Sequence, residues 1–254
     1  PLQTVEVSVR LCHQLKEVPI MFGKRKLATL VAELVGTGVL TLVILSVQRS
    51  TIGVPFFVAA AAGLTVALMS FAVARVSGGY FNPALTIGSW SARKVDTVTA
   101  IMYVVVQLAG AWAAYWLYTY FVNNSLQPIG GKSTGRILTA EIVGTAIFAY
   151  AWASAMYQKF TIGLAGATAG LALMVGIVAA SSASLGLLNP AVALGVRAFT
   201  PAYVAGPIIG AVIGFQLYAL LMAGSETKVA AKTAAAPVAA KKAPAKKKSS
   251  KAKK

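Results

Sequence analysis

Residues 78–88 read GGYFNPALTIG and residues 186–195 read GLLNPAVALG, each placing an Asn-Pro-Ala triplet six residues ahead of a glycine. Asn is a favoured helix N-cap, and Pro suits the first helical position because its missing N–H would be unpaired there anyway. Each triplet therefore reads as a helix start, predicting short helices over 82–92 and 189–199. About ten residues at 1.5 Å rise give roughly 15 Å, half the thickness of a bilayer core.

The surroundings make half a bilayer the relevant measure. The chain is 57% apolar and 11% charged, against about a quarter charged in soluble domains. Six stretches, about 27–48, 55–74, 97–121, 137–157, 161–182 and 201–223, are each long and apolar enough to cross a membrane as helices. Runs of that length without polar alternation do not suit barrel strands. The expected fold is an all-α membrane protein: six transmembrane helices, with the two triplet helices dipping in between spans two and three and between five and six. A half-length helix is tolerated at that depth where protein rather than lipid surrounds it.

The formal charge of +17 lies at the ends. With the N-terminus inside, nineteen Lys and Arg fall on the cytoplasmic side and four (Arg49, Lys132, Arg136, Arg197) on the other. Both termini are therefore expected in the cytoplasm. No apolar segment with a small-residue cleavage pattern precedes residue 27, so no signal peptide is expected in this stretch. The organisation reads as an N-terminal extension (1–26), a membrane domain (27–223) and a Lys/Ala-rich tail (224–254) too poor in large apolar residues to fold. For the tail, the readings are a solvated segment, attraction to anionic lipid headgroups, or nucleic-acid binding, with little weight on the last. Cys12 and His13 lack further ligands to complete a metal site. No catalytic constellation, metal site or cofactor motif is present, which argues against an enzyme.

The membrane domain is a repeat. AELVGTGVL at 32–40 returns as AEIVGTAIF at 140–148, and the triplets are 107 apart. The copies cover about 27–121 and 137–223. An odd number of spans per copy inserts them in opposite directions, an inverted repeat. The two half-helices then enter from opposite sides, and their N-termini meet near the midplane. Each helix start carries partial positive charge, and the Asn amides offer N–H donors. Such a place repels cations and holds a water as an acceptor, which breaks proton relay along a file of waters.

The doubled Asn-Pro-Ala, the doubled Ala-Glu-x-x-Gly-Thr and the six-span layout resemble the aquaporin and aquaglyceroporin family, the major intrinsic proteins, over residues 27–223. The resemblance implies a passive channel for water or small neutral solutes such as glycerol, urea or ammonia, built as a homotetramer with one pore per subunit. It also implies a multi-pass protein of the cell membrane. Its pore motifs would be Asn82, Pro83, Ala84, Asn189, Pro190 and Ala191. The four outer filter positions fall at Ala62, Ile177, Gly186 and Val192, where the family usually has an aromatic and an arginine. Arg197 lies about 140° around the half-helix from Val192 and does not replace that arginine. Ala, Ile, Gly and Val imply a wide, apolar filter, which could also dewet.

Glu33 and Glu141 are the acids within the spans. They could move protons or bind a cation, or accept backbone N–H groups of the re-entrant loops. Identical placement in both copies favours bracing, and the resemblance implies it. Two further functions remain in competition with a pore: a coupled secondary transporter, which inverted repeats also build, and a non-conducting structural membrane protein.

Overall fold

A computed structural model describes residues 23–234. Residues 1–22 of the expected N-terminal extension and residues 235–254 of the expected tail lie outside these residues, and residues 24–26 of the extension are already helical. Eight helices occur among the described residues: α1 (Lys24–Gln48), α2 (Pro55–Ser77), α3 (Pro83–Ser91), α4 (Thr97–Val122), α5 (Gly135–Tyr157), α6 (Ile162–Ala180), α7 (Pro190–Gly195) and α8 (Pro201–Ala234). Six of them, counting α8 through Met222, are long and apolar enough to cross a membrane. The all-α membrane fold is as the sequence implies, and no strand occurs among the described residues.

Two bounds differ from expectation. The second triplet helix stops at Gly195 rather than near 199. Arg197 adopts a left-handed φ of 68°, and Ala198 N–H donates to the Ala193 carbonyl at 2.8 Å, a Schellman-type stop. The last helix also runs on to Ala234, into the stretch expected to be an unfolded tail. Its Ala, Lys and Glu content favours continuing a helix already nucleated in the membrane.

Helix α1 packs on α4 and α2, α2 on α6, α6 on α5, and α5 on α8. The open seam between α8 and α4 is filled by the two half-helices: α3 lies against both, and α7 lies against α4, α1 and α8. Size rather than polarity decides which face turns inward. On α2, Ala59, Ala62, Gly63 and Ser70 are buried, while Leu64, Leu68 and Phe71 are exposed. Lipid is as apolar as leucine, so burying leucine has no hydrophobic reward here; close approach of small residues does the work. Gly206, Gly210 and Gly214 accordingly face the α5 backbone, with a Cβ on Gly214 falling 2.5 Å from the Ala146 carbonyl oxygen.

Candidate functional site: the meeting of the two half-helices

Both triplets act as caps. Asn82 and Asn189 are extended, at φ −154° and −152°. The Asn82 Oδ1 accepts from Ala84 N–H at 2.8 Å; the Asn189 Oδ1 accepts from Ala191 N–H at 3.0 Å and Val192 N–H at 3.4 Å. Pro83 and Pro190 open α3 and α7, and Ala84 and Ala191 are fully buried behind them.

The amide nitrogens cross over. Asn82 Nδ2 donates to the Leu188 carbonyl at 2.9 Å, and Asn189 Nδ2 donates to the Phe81 carbonyl at 2.9 Å. Each carbonyl belongs to the residue preceding the other Asn. That residue is left-handed in both loops, with φ 49° at Phe81 and 51° at Leu188. A non-glycine held there is costly and persists only when its surroundings impose it. An Asn amide has two N–H bonds, so one on each side chain remains for something between them.

The imposed geometry comes from the two buried glutamates. Glu33 accepts from Tyr80 N–H at 3.0 Å, Phe81 N–H at 2.7 Å and Gln107 Nε2 at 2.8 Å. Glu141 accepts from Leu187 N–H at 3.1 Å, Leu188 N–H at 2.8 Å and the Ser184 hydroxyl at 2.8 Å. Each loop also has a serine that accepts from a left-handed glycine two residues on: Ser77 from Gly79 at 3.1 Å, and Ser184 from Gly186 at 2.9 Å.

Gln107, Tyr103 and Tyr203 complete the support, and sequence reasoning did not single them out. Gln107 links Glu33 to Thr86 on α3, with Nε2 to the Thr86 hydroxyl at 3.1 Å. Tyr103 donates to the Ser77 carbonyl at 2.7 Å, while the Tyr203 hydroxyl accepts from Leu185 N–H at 3.0 Å. The two tyrosines are 100 positions apart, the offset that relates QLAGA (107–111) to PIIGA (207–211), so the repeat itself was a signal for them.

Ala62, Ile177, Gly186 and Val192 are all buried. Gly186 lies against Ile177: a Cβ there would sit 2.9 Å from the Ile177 carbonyl oxygen and 3.1 Å from its Cγ2. Arg197 turns to α4, its guanidinium 5.7 Å from the centre of the Tyr115 ring. The cation beside the end of α7 is Arg49, whose Nη2 donates to the Val196 carbonyl at 3.2 Å and the Gln127 carbonyl at 3.1 Å. Among the described residues no three His, Cys, Asp or Glu gather as a metal site.

A family model described as major intrinsic protein matches residues 21–218. Aquaporin Z of Photorhabdus laumondii is 34% identical over 229 residues, covering 78% of this chain and 98% of that one. Aquaporin AqpM of Methanothermobacter marburgensis is 28% identical over 181 residues, 63% of this chain and 74% of that one. In fold, the chain is similar to the aquaglyceroporin from Plasmodium falciparum, with a TM-score of 0.63 at 18% identity over 81% of this chain and 99% of the other. The six apolar helices, the paired triplets and this match over most of the length agree: the chain belongs to the major intrinsic protein family of membrane channels.

Proposed function

We propose that the protein passes water and small neutral solutes, glycerol and urea among them, between Asn82 and Asn189 while excluding ions and protons. The observation that carries this reading is the reciprocal pair of amide–carbonyl bonds. They fix both side chains with one N–H each left over, where two helix starts contribute further donors. A water accepting from both amides has its lone pairs occupied and cannot receive a proton from its neighbour. A cation meets the remaining amide donors and the positive ends of two helices.

A coupled transporter would need a carboxylate free to change partners. Glu33 and Glu141 each hold three donors from the loops they support. Moving either would release two backbone N–H groups in a buried place. This favours a passive pore.

In the proposed pore, Ala62, Ile177, Gly186 and Val192 form the outer filter, and their side chains carry no polar atom. Selection there is by size and dehydration, without a guanidinium to recognise a hydroxyl. The asymmetry of Lys and Arg supports a cytoplasmic location for both termini. Family likeness supports a homotetramer in the cell membrane, with the basic tail near anionic headgroups.

Stopped-flow light scattering on proteoliposomes tests the reading, with wild type beside Val192→Arg. Wild type should conduct both water and glycerol, and the arginine should lower glycerol flux more than water flux. A wild-type protein that passes neither solute, though correctly folded, overturns the pore.

A further inference from the structure

The inverted repeat gives every filter residue a counterpart at the other end of the bundle. At the offset of 107, Ala62, Ile177, Gly186 and Val192 correspond to Ala169, Ser70, Gly79 and Leu85. The counterpart of Ile177 is thus a hydroxyl. Ser70 is 2% exposed, and its Oγ has no hydrogen-bond partner among the described residues. It faces Gly79, where an added Cβ would lie 3.3 Å from that Oγ.

A cavity of about 190 Å³ is lined by Gly78, Tyr80, Trp152, Ala155, Met156 and Ala165. That is well above the roughly 10–15 Å³ one water needs. Gly78 and Tyr80 belong to the stretch that leads from the end of α2 inward to Asn82. Trp152 lies five residues before the end of α5, about 7.5 Å inside the bundle at 1.5 Å per residue. Ser70 abuts Gly166 as well as Gly79, the chain neighbours of the cavity-lining Ala165 and Gly78.

Trp152 brings a second unpaired group. It is 6% exposed, and its Nε1–H has no acceptor among the described residues. Buried donors are seldom left so, and each such group calls for an explanation. The Tyr80 ring stands 5.7 Å from the indole at 54° and walls the cavity. At the other end of the bundle the counterparts of both are aliphatic: Ile44 for Trp152 at the glutamate offset of 108, and Leu187 for Tyr80 at 107. The aromatic and hydrogen-bonding character sits in one half alone, the half where the outer filter is not.

We propose that Trp152 and Ser70, walled by Tyr80, form a second selective station in the cytoplasmic half of the pathway. It takes a small neutral molecule with an acceptor oxygen, a water or a polyol. This rests on the pore reading above. A molecule leaving Asn82 toward the cytoplasm passes between the 78–82 stretch and the ends of α5 and α6, where the indole N–H and serine hydroxyl replace part of its hydration. Selection lost by the apolar outer ring is recovered here.

Three variants of the full chain in proteoliposomes decide it, each checked for a wild-type gel-filtration profile in detergent. Ala155→Phe fills the cavity and should lower water and glycerol flux together. Trp152→Phe keeps an aromatic ring but removes the donor. A polyol sheds more hydration than a water, so the glycerol-to-water ratio should fall by about fivefold, the worth of one neutral hydrogen bond. Trp152→Ala removes the bulk of the ring as well as the donor and should raise that ratio. If wild type conducts while Trp152→Phe keeps the ratio and a folded Ala155→Phe keeps the flux, the station is overturned and the pore stands. Absence of flux in wild type and all variants overturns both.

Discussion

Gly63 and Gly170, equivalent in the repeat and 107 positions apart, lie against each other where α2 crosses α6. A Cβ on Gly63 would stand 2.5 Å from the Gly170 carbonyl oxygen, and a Cβ on Gly170 would meet the Gly63 carbonyl in return. The obstacle on both sides is backbone, which cannot swing away. Gly63→Ala and Gly170→Ala should each destabilise the protein by roughly 1–3 kcal/mol through overpacking. Gly163→Ala, whose nearest neighbour would be the Phe71 ring at 3.8 Å, should leave stability within about 0.5 kcal/mol of wild type. Thermal unfolding in detergent distinguishes the two classes. Because Ala62 adjoins Gly63, the first class should also alter solute flux.

Replacing either glutamate by glutamine keeps shape and removes acceptors. The Glu33 carboxylate holds two backbone N–H groups and an amide, all donors. A glutamine NH2 turned toward any of them leaves a buried donor unpaired, at roughly 1–3 kcal/mol. Glu33→Gln and Glu141→Gln should cost about the same. In each, one carboxylate oxygen holds a single backbone N–H, Tyr80 on Glu33 and Leu188 on Glu141, so the glutamine NH2 strands one backbone donor at the least. Chemical denaturation in detergent should show both losses.

Much of this architecture could be read from the chain. The Asn-Pro-Ala pairs announced the caps, and the 107-residue offset announced that two loops would match. The left-handed Phe81 and Leu188 could not be anticipated, because neither residue type favours positive φ. They are imposed by Glu33 and Glu141 from distant helices. The early end of α7 was hidden for a related reason. Helix stops usually show a glycine, and here Arg197 takes the left-handed place, as Arg93 does after α3 at φ 57°. Gln107 was missed because its counterpart is Pro207, so the repeat gave no second copy to draw attention to it.

The cap of α4 supplies a pH test outside the membrane-spanning segments. The Asp96 carboxylate accepts from Thr99 N–H at 3.0 Å, and its bonds to Thr99 hold its pKa below the usual 3.8. A depressed folded-state pKa contributes stability above the unfolded value, and that stability is lost as pH falls through the folded one. Stability should therefore decline below about pH 4 more steeply in wild type than in Asp96→Asn. That variant caps through a neutral carbonyl and should match wild type near neutrality. Unfolding midpoints between pH 3 and 7 provide the comparison.

The crossed Asn bonds should show as energetic coupling. Asn189→Ala frees the Phe81 carbonyl and uncaps Ala191, and Asn82→Ala frees the Leu188 carbonyl and uncaps Ala84. Each loss of a cap is worth about 1 kcal/mol, with the orphaned carbonyl adding to it. The bonds lock the same two loops, so once one has gone the other holds a loop already loosened. The double variant should be less destabilised than the sum of the singles, by an interaction of about 0.5–3 kcal/mol. Strict additivity would mean that each loop is held by its glutamate alone and that the meeting of the half-helices is only contact. A pH-sensitive dye inside proteoliposomes adds a functional readout. Proton leak should rise most in the double variant, where neither amide remains to orient a passing water.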